Sequence, residues 1–291
     1  QKDQEGGYKR APFVDLFLGT SKAKDLEVFL DDRKFEDPFT FTAADGARPD
    51  HIKRSKKVSA WLPIMYGCNK WCTYCIVPKV RGPERSRSME DILSEVKELA
   101  AKGYKEITFL GQNVNSYGLD LPKGEGTFAR LLEDVAQVPG VERLRFMTSH
   151  PRDMDEETMD VMAKYPNICN HLHLPVQSGS DELLKRMNRG YTTDQYRELV
   201  AKLRKRIPDI ALTTDIIVGF PGETEEQFQE TIHFLEEIRY DLAFIFIYSQ
   251  RSGTPAAGFE NQISEEEKKE RHRRLSEAQD RINLDRMKVW E

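Results

Sequence analysis

The sequence is poor in cysteine and lacks any long apolar run. Its 291 residues include only 4 cysteines, too few for the disulfide framework of a secreted protein. No apolar stretch reaches the roughly 18 residues that a membrane span requires. A chain of this length buries a large core without covalent staples. The composition therefore indicates a soluble globular protein of a reducing compartment, and we expect it in the cytoplasm without membrane association.

An excess of positive charge is also missing. The net charge is −5, which argues against a surface that binds nucleic acids throughout. The basic residues are nevertheless clustered, because nine Lys or Arg and a single acid, Glu84, lie between His51 and Arg87. Such a patch can hold a phosphate backbone. A charge run alone, however, is more often a solvated loop.

Alternating strand and helix patterns begin near residue 58. Apolar strand candidates lie at 58–66, 106–111, 144–149, 169–176, 210–220 and 242–249. Helical spacing separates them, Thr224 with Gln227 forms a capping-box pattern, and a charged helix begins near Ser264. Six strand–helix units predict an α/β fold with a parallel sheet, either doubly wound or a partial barrel, since a closed barrel needs eight. Both architectures bind ligands at the carboxyl ends of the strands.

Three of the four cysteines fall within eight positions. Cys68, Cys72 and Cys75 form a C-x₃-C-x₂-C pattern in the loop after the first strand. A structural zinc site uses four ligands, and iron–sulfur clusters also usually take four cysteines. Cys169 could supply the fourth ligand, but its position at the start of a strand favours an ordinary buried core residue. Three ligands alone would leave one metal position open to another molecule.

The cysteine pattern resembles the radical SAM superfamily, in which the third cysteine commonly follows an aromatic residue, here Tyr74. The resemblance implies that Cys68, Cys72 and Cys75 bind a 4Fe–4S cluster whose open iron chelates S-adenosylmethionine (SAM). It also implies that electron transfer into the sulfonium yields a 5′-deoxyadenosyl radical, which is chemistry that the cofactor supplies. The fold implied by the resemblance is a partial (βα)6 barrel.

More of the sequence is similar to one branch of that superfamily, the methylthiotransferases. The similar segments are GCNKWCTYCIVPKVRGPERSR (67–87), LGQNVNSYG (110–118), TSHP (148–151), HLPVQSGSD (173–181) and IVGFPGET (217–224). GQNVNSY and LPVQSGSD resemble the MiaB type, which converts N6-isopentenyladenosine, just 3′ of the tRNA anticodon, to its 2-methylthio derivative. The similarity covers about residues 54–290 and implies an enzyme whose partner is the tRNA anticodon stem-loop.

The resemblance assigns further residues to the cofactor and to the RNA. Tyr74 would meet the adenine through its backbone, and Val218 would pack on the adenine. Gln112 and Asn113 would contact the methionyl amino group, and Gln177 the ribose or carboxylate. Four basic residues that follow the cysteines would face the RNA or the SAM carboxylate: Lys79, Arg81, Arg85 and Arg87. No residue is assigned a catalytic role, and His150 is a candidate neighbour of the site.

The chain departs from the family pattern towards both ends. The family holds an auxiliary 4Fe–4S cluster, implicated in sulfur donation, on three N-terminal cysteines, and residues 1–50 contain none. It also ends in an RNA-binding module called TRAM, which would begin near Glu291. We therefore expect a fragment with a remnant of the N-terminal domain plus linker (1–53), a radical SAM core (54–263) and a C-terminal helix (264–291). The full-length protein is expected to carry the second cluster, to take electrons from flavodoxin or ferredoxin, and to be a monomer.

Two other functions stay open at the level of the sequence. A related methylthiotransferase would modify threonylcarbamoyl-adenosine in tRNA or an aspartate of a ribosomal protein, although GQNVNSY argues against both. A protein of another class would bind structural zinc, with Cys169 as the fourth ligand, and would act as an RNA-binding module without redox chemistry. Iron uptake and SAM cleavage distinguish the enzymes from the zinc protein.

Overall fold

The computed structural model of the protein describes residues 58–287. In chain order the strands are β1 Ser59–Pro63, β2 Met65–Tyr66, β3 Arg85–Ser86, β4 Glu106–Leu110, β5 Arg143–Phe146, β6 His171–His173, β7 Ala211–Val218 and β8 Leu242–Ile247. The α-helices are α1 Val77–Arg81, α2 Met89–Ala101, α3 Phe128–Ala136, α4 Glu156–Lys164, α5 Asp181–Arg186, α6 Thr193–Arg206, α7 Glu225–Ile238 and α8 Glu265–Met287. Within residues 58–287, no helix combines the length and the apolar composition needed to cross a membrane. The expected remnant at 1–53 lies outside the described residues.

Six of the strands run parallel in chain order, which confirms the predicted six-unit architecture. β1, β4 and β5 form one ladder, and β6, β7 and β8 form another. A parallel bridge between Leu144 and Ile168 joins the two ladders. β1 and β8 are left as the outer strands, so the sheet is a partial barrel. The carboxyl ends of all six strands meet at one rim, where ligands bind in folds of this kind.

The first predicted strand, 58–66, is divided in two. Its pairing with β4 ends where the N–H of Ile64 donates to the carbonyl of Leu110 over 3.0 Å. The next two residues form β2, which pairs antiparallel with β3. This short pair closes the base of the segment that carries the cysteines, residues 67–84, which we call the cysteine loop.

Pro175 shortens the fourth barrel strand. The sequence predicts a strand over 169–176, but the ladder of β6 is only 3 residues long, because proline has no N–H to donate. The hydroxyl of Thr214 takes over the missing bonds. It accepts from the N–H of Val176 at 2.9 Å and donates to the carbonyl of Leu174 at 3.0 Å. The segment after β6 therefore stays attached to β7 up to the rim.

The two faces of the barrel sheet differ in burial. Side chains of one face, such as Leu62, Phe109 and Leu212, pack in the core with an exposure of 0%. On the alternate positions of β8, Phe244 and Phe246 are 45% and 51% exposed. Successive strand residues point to opposite faces. The helices therefore cover one face, and the other is left open.

The last helix is attached to the rim by a buried ion pair. Arg271 of α8 donates to the Glu223 carboxylate over 2.7 Å, and the two side chains are 3% and 1% exposed. Glu223 also accepts from the N–H of Gly219 at 2.7 Å, so α8 holds the turn that follows β7. The predicted capping box of Thr224 and Gln227 is confirmed at the start of α7.

Candidate functional site

The cysteine loop is fixed at its ends before it reaches the predicted metal ligands. Gly67 begins the loop with φ of 74°, and a Cβ there would lie 1.9 Å from the carbonyl oxygen of Pro83. Only glycine fits this position. The N–H of Cys68 donates to the carbonyl of Gly82 over 3.1 Å. Together with the β2–β3 pair, these contacts hold the thiols on a preformed loop at the rim.

All three thiols lie in this loop at low exposure. Cys68 and Cys72 are 9% and 7% exposed, and Cys75 is half-buried. Burial raises the pKa of Cys68 to about 11 and also raises the pKa of Cys75. These two free thiols therefore stay protonated at neutral pH. They become thiolates when a metal displaces the proton.

The donor set fits an iron–sulfur cluster better than a single zinc ion. Among residues 58–287, no three His, Cys, Asp or Glu side chains are arranged around one ion position. A four-iron cluster does not need such convergence, because each thiolate binds a different iron. Cys68, Cys72 and Cys75 would therefore be the residues that hold it.

Cys169 does not complete this set. It lies at the end of the strands opposite the rim, where its N–H donates to the carbonyl of Leu144 over 3.0 Å. The sequence predicts a buried core residue at this position, but Cys169 is only half-buried. It precedes β6, where burial raises the pKa of its thiol despite the nearby positive charge of Arg145.

A buried arginine lies directly behind the cysteine loop. Arg189 is 5% exposed, and its Nη1 lies 3.4 Å from both the Sγ of Cys72 and the Oη of Tyr74. Its Nη2 donates to the carbonyl of Pro175 at 2.7 Å, and its Nε donates to Tyr191 Oη at 3.1 Å. Within residues 58–287, the partners of Arg189 include no carboxylate. A buried cation without a counter-ion is costly, so the arrangement suits an anionic group bound at Cys72.

A cleft of about 360 Å³ opens at the rim beside Cys75. Its walls include Tyr74, Gln177, Asp215, Ile217 and Phe246. Two predicted cofactor residues, Tyr74 and Gln177, therefore lie in the same cleft as a predicted metal ligand. Gln177 is held with φ of 75°, and its N–H donates to the carbonyl of Asp215 at 2.8 Å. The amide and carboxylate can bind hydroxyl groups, while Ile217 and Phe246 can cover a flat apolar ring.

The predicted pair after β4 lies near the cysteine loop, outside the walls of this cleft. Asn113 is 2% exposed, and its Nδ2 donates to Asp153 over 2.6 Å. Asp153 also pairs with Lys70 of the cysteine loop at 2.7 Å. The Oε1 of Gln112 and the Oδ1 of Asn113 are buried without a hydrogen-bond partner. These oxygens can accept hydrogen bonds from an ammonium group.

Val218 is the predicted cofactor residue that lies deepest. Its side chain is 0% exposed and belongs to the main core. Because residues alternate along a strand, its neighbour Ile217 supplies the side chain that lines the cleft. Adenine packing by Val218 stays a prediction.

The TSHP segment brings two further polar side chains to the rim. The Oγ of Ser149 and the Nε2 of His150 are buried without a partner, while Nδ1 of His150 accepts from the N–H of Arg152 at 3.2 Å. This bond places the ring proton on Nε2. Burial, followed by the charges of Arg189, Lys70 and Arg152, lowers the pKa of His150 to about 2. The ring is therefore neutral, with an N–H available to a ligand.

The basic residues predicted to contact RNA differ in accessibility. Lys79 and Arg81 are exposed, and Lys79 Nζ donates to the carbonyl of Gly253 at 2.5 Å. Arg85 is half-buried, and its Nε is buried without a partner. Lys79 and Arg81 are consequently the better placed of these residues to meet a phosphate backbone, and the RNA contact itself stays a prediction.

The prediction for Arg87 is wrong. This residue is 2% exposed, and its guanidinium pairs with Glu95 at 2.8 Å and with Asp91 at 2.7 Å. It also donates to the carbonyl of Pro63 at 2.7 Å. The charge is fully engaged inside the first strand–helix unit, so Arg87 stabilises the fold and is not available to RNA.

Three charged residues at or beside the cleft are among those that the sequence-based assignments miss. Asp215 is the one acidic residue in the apolar stretch IALTTDIIVGF, and this contrast could have drawn attention to it. Arg251 lines the cleft from the loop after β8, and Arg189 reaches Cys72 from 117 positions away. No local pattern connects these two arginines with the cysteines.

Comparison with known proteins agrees with this geometry. Residues 62–235 match the family described as the Radical SAM superfamily. A relative from Acetivibrio thermocellus, named tRNA-2-methylthio-N(6)-dimethylallyladenosine synthase, is 59% identical over 233 residues, which are 80% of this chain and 48% of the relative. A relative of the same name from Carboxydothermus hydrogenoformans is 50% identical over 281 residues, which are 95% of this chain and 64% of the relative. The chain thus spans about half to just under two thirds of the length of these relatives.

A solved structure supports the fold independently. Coproporphyrinogen III oxidase from Escherichia coli, described as a radical SAM enzyme, aligns with a TM-score of 0.54 at 18% identity. The alignment covers 76% of this chain and 52% of that enzyme. At this identity the likeness concerns the fold alone, and it agrees with the partial barrel of six parallel strands. By its matched domain, its barrel and its three-cysteine loop, this chain belongs to the radical SAM superfamily.

Proposed function

We propose that this chain is the core of a radical SAM methylthiotransferase that acts on tRNA in the cytoplasm. The net reaction replaces the hydrogen at carbon 2 of N6-isopentenyladenosine with a methylthio group. The substrate follows from the relatives at 59% and 50% identity, whose names specify 2-methylthio-N(6)-dimethylallyladenosine, dimethylallyl being another name for the same isopentenyl group. The proposed target is the adenosine next to the anticodon.

One observation carries the radical SAM part of the proposal. Cys75 lines the same cleft as Gln177 and Asp215, so a metal held by the cysteine loop would lie beside groups suited to a nucleoside. When bound, a 4Fe–4S cluster supplies the electron that cleaves the sulfonium of SAM. Gln177 and Asp215 would orient the ribose hydroxyls of SAM, and Ile217 with Phe246 would exclude water from the cleft.

The remaining residues of the rim have supporting roles in this proposal. The oxygens of Gln112 and Asn113, buried without a partner, would accept hydrogen bonds from the methionyl ammonium group. Lys70 and Asp153 join the cysteine loop to Asn113 through two short contacts of 2.7 and 2.6 Å. This chain of contacts would keep the amino-group site in register with the cluster.

Further parts of the proposal concern the full-length protein. It would carry an auxiliary 4Fe–4S cluster whose ligands are not in this chain, take electrons from a flavodoxin or ferredoxin, and act as a monomer. The division into 1–53, 54–263 and 264–291 belongs to the same proposal. The helix α8, at Glu265–Met287, would lead into an RNA-binding module.

Anaerobic reconstitution of the full-length gene product tests the function. The protein is incubated with iron and sulfide, reduced, and given SAM and an anticodon stem-loop that contains N6-isopentenyladenosine. We expect 5′-deoxyadenosine together with 2-methylthio-N6-isopentenyladenosine, both measured by mass spectrometry. If the enzyme instead cleaves SAM and methylthiolates threonylcarbamoyl-adenosine or a ribosomal protein, the proposed substrate is wrong. Uptake of zinc without brown colour or SAM cleavage would contradict the enzyme altogether.

A further inference from the structure

A large aromatic side chain lies on the outside of the cysteine loop. Trp71 is 63% exposed, although the next residue, Cys72, is only 7% exposed. Single exposed apolar side chains are common on protein surfaces, so exposure alone does not define a role. The position next to a predicted metal ligand and the way in which the backbone is held make Trp71 different.

The backbone at Trp71 and just after it is fastened to the end of helix α5. The carbonyl of Trp71 accepts a hydrogen bond from Asn188 Nδ2 at 2.8 Å. The N–H of Thr73 donates to the carbonyl of Met187 at 3.0 Å, and its hydroxyl donates to the carbonyl of Arg186 at 2.9 Å. Three tertiary contacts within three residues make this backbone rigid. The indole is therefore presented to solvent on a fixed support.

The residues before Trp71 are fastened as well. The side-chain oxygen of Asn69 accepts from the N–H of Glu84 at 3.1 Å, and Lys70 Nζ pairs with Asp153 at 2.7 Å. The side chains of Asn69 and Lys70 are thus held by specific bonds within the protein, whereas the ring of Trp71 is exposed. Because the backbone that carries the ring is already fixed, a flat partner that stacks on the ring has less conformational entropy to remove.

We propose that Trp71 stacks on an unpaired base of the RNA substrate, next to the base that enters the cleft. This inference rests on the proposed function, which makes an adenosine in a tRNA loop the substrate. An enzyme that modifies the ring of a base must take that base out of its stack. The neighbouring base then loses a stacking partner, and an aromatic side chain at the edge of the active site can replace it.

The charge of the surroundings favours RNA as the occupant. Lys79 and Arg81, farther along the same loop, and Arg251 at the cleft are exposed cations. A combination of aromatic rings with Lys and Arg is typical of surfaces that bind single-stranded nucleic acid, where rings take the bases and cations take the phosphates. A protein partner such as an electron donor is the competing occupant, and the test separates the two.

The test compares Trp71→Ala, Trp71→Phe and a control, Leu284→Ala, in the reconstituted full-length protein. Leu284 has a similar exposure of 61% on helix α8. We expect Trp71→Ala to raise the dissociation constant for the isopentenyl-adenosine stem-loop about tenfold, the usual effect of one base–aromatic stack. Trp71→Phe should stay within about threefold of the wild type, because a smaller ring still stacks. Leu284→Ala should not change binding, and cluster absorbance checks that each variant has kept its loop.

A double-mutant cycle identifies the base. Stem-loops with a single abasic site at each loop position are bound to the wild type and to Trp71→Ala. At one position next to the modified adenosine, we expect the abasic site to weaken binding to the wild type about tenfold and to have little effect on Trp71→Ala. Additive effects at every position would overturn the inference. So would unchanged RNA affinity in Trp71→Ala, including the case in which only the rate of reduction by an electron-donor protein changes.

The two proposals fail in different ways. If the wild type neither binds nor modifies the stem-loop, the proposed function fails and this inference falls with it. If the wild type modifies the RNA and Trp71→Ala binds it equally well, only the role of Trp71 is wrong.

Discussion

Two arginines are buried near the cysteine loop, one in the first strand–helix unit and one directly behind the loop. The partners of their two charges are different. Arg87 is 2% exposed and pairs with Glu95 and Asp91 at 2.8 and 2.7 Å. Arg189 is 5% exposed and has carbonyl, phenol and thiol partners. Among residues 58–287 it forms no ion pair with a carboxylate.

The difference indicates which buried charge serves the fold and which serves a ligand. A buried ion pair is complete within the chain, and removal of either partner leaves an uncompensated charge. A buried cation that lies beside a cysteine sulfur has its charge balanced only when that sulfur is an anion. The proposed cluster would supply such an anion at Cys72 beside Arg189, whereas Arg87 is already paired with carboxylates of the chain.

The largest expected effect concerns Cys72 itself. We expect Cys72→Ala to abolish SAM cleavage, because two cysteines cannot hold the cluster with one iron open. The fold should persist, since Cys72 lies in a loop that is held by other contacts. Production of 5′-deoxyadenosine and the circular dichroism spectrum measure the two properties. Retained SAM cleavage would refute the assignment, and Cys169→Ala is the matched control that should remain active.

A large loss of stability is expected from Arg87→Met. This change leaves the Glu95 carboxylate buried without its partner and should lower the free energy of unfolding by about 3–5 kcal/mol. Denaturant titration measures the effect. The double variant Arg87→Met with Glu95→Leu should recover much of the loss, because both charges are then absent. A single variant as stable as the wild type would contradict the structural role of Arg87.

Arg189→Met should behave differently from Arg87→Met. Without a cluster, the loss of an arginine that has no carboxylate partner should destabilise the fold far less than Arg87→Met does. With a cluster bound at Cys72, Arg189→Met would remove a positive charge that lies 3.4 Å from the cysteine sulfur. At an effective dielectric constant of about 20, one such charge is worth on the order of 3 kcal/mol. The cluster should then be harder to reduce, with its potential lowered on the order of 100 mV. A redox titration followed by electron paramagnetic resonance checks this, and an unchanged potential would show that Arg189 serves packing alone.

The buried imidazole predicts a dependence of stability on pH. His150 has a pKa of about 2 in the folded protein, against about 6.5 when unfolded. Because the pKa is lowered in the folded protein, the contribution of the neutral ring to stability is fully present above about pH 6.5. This contribution is lost as the pH falls below that value. Between pH 8 and pH 5.5 this loss is about 1.4 kcal/mol. His150→Asn keeps an acceptor for the N–H of Arg152 and should reduce the pH dependence by that amount, measured by denaturant titration at both pH values.

The smallest expected effect concerns the exposed charge of the cysteine loop. Arg81→Glu should weaken binding of the anticodon stem-loop and reduce the slope of binding against salt by about one ion. Arg130→Glu makes the same change at a side chain that is 62% exposed on helix α3 and serves as the control. If the two variants bind alike, the RNA surface lies elsewhere.

Much of the fold was predictable because its signals are local. Apolar strands alternate with amphipathic helices, and a capping box such as Thr224 with Gln227 marks the start of a helix within four residues. The departures arise where a long-range contact replaces a local one. Pro175 ends the ladder of β6, and the hydroxyl of Thr214, 38 positions from Val176, compensates for the missing bond.

The same distinction applies to the site. The spacing of Cys68, Cys72 and Cys75 is visible along the chain and predicts a loop with one metal position left open. The exposure of a side chain and the partners of its charge cannot be read along the chain in this way. Arg81 and Arg87 belong to one basic run, yet one is exposed and the other is enclosed by Glu95, which only the packing of helix α2 determines.

The sequence by itself determined the six strand–helix units and the three-cysteine loop, because hydrophobic period and ligand spacing are properties of neighbouring residues. The tertiary structure decided which polar groups converge on that loop. Arg189, Asp215 and the rim residues Asn113 and His150 come from different strand–helix units, and only the parallel closure of the sheet brings the ends of those units to one rim. Burial then keeps the ring of His150 neutral and leaves atoms of Asn113 and His150 without a hydrogen-bond partner, because both effects depend on neighbours that are distant in the chain.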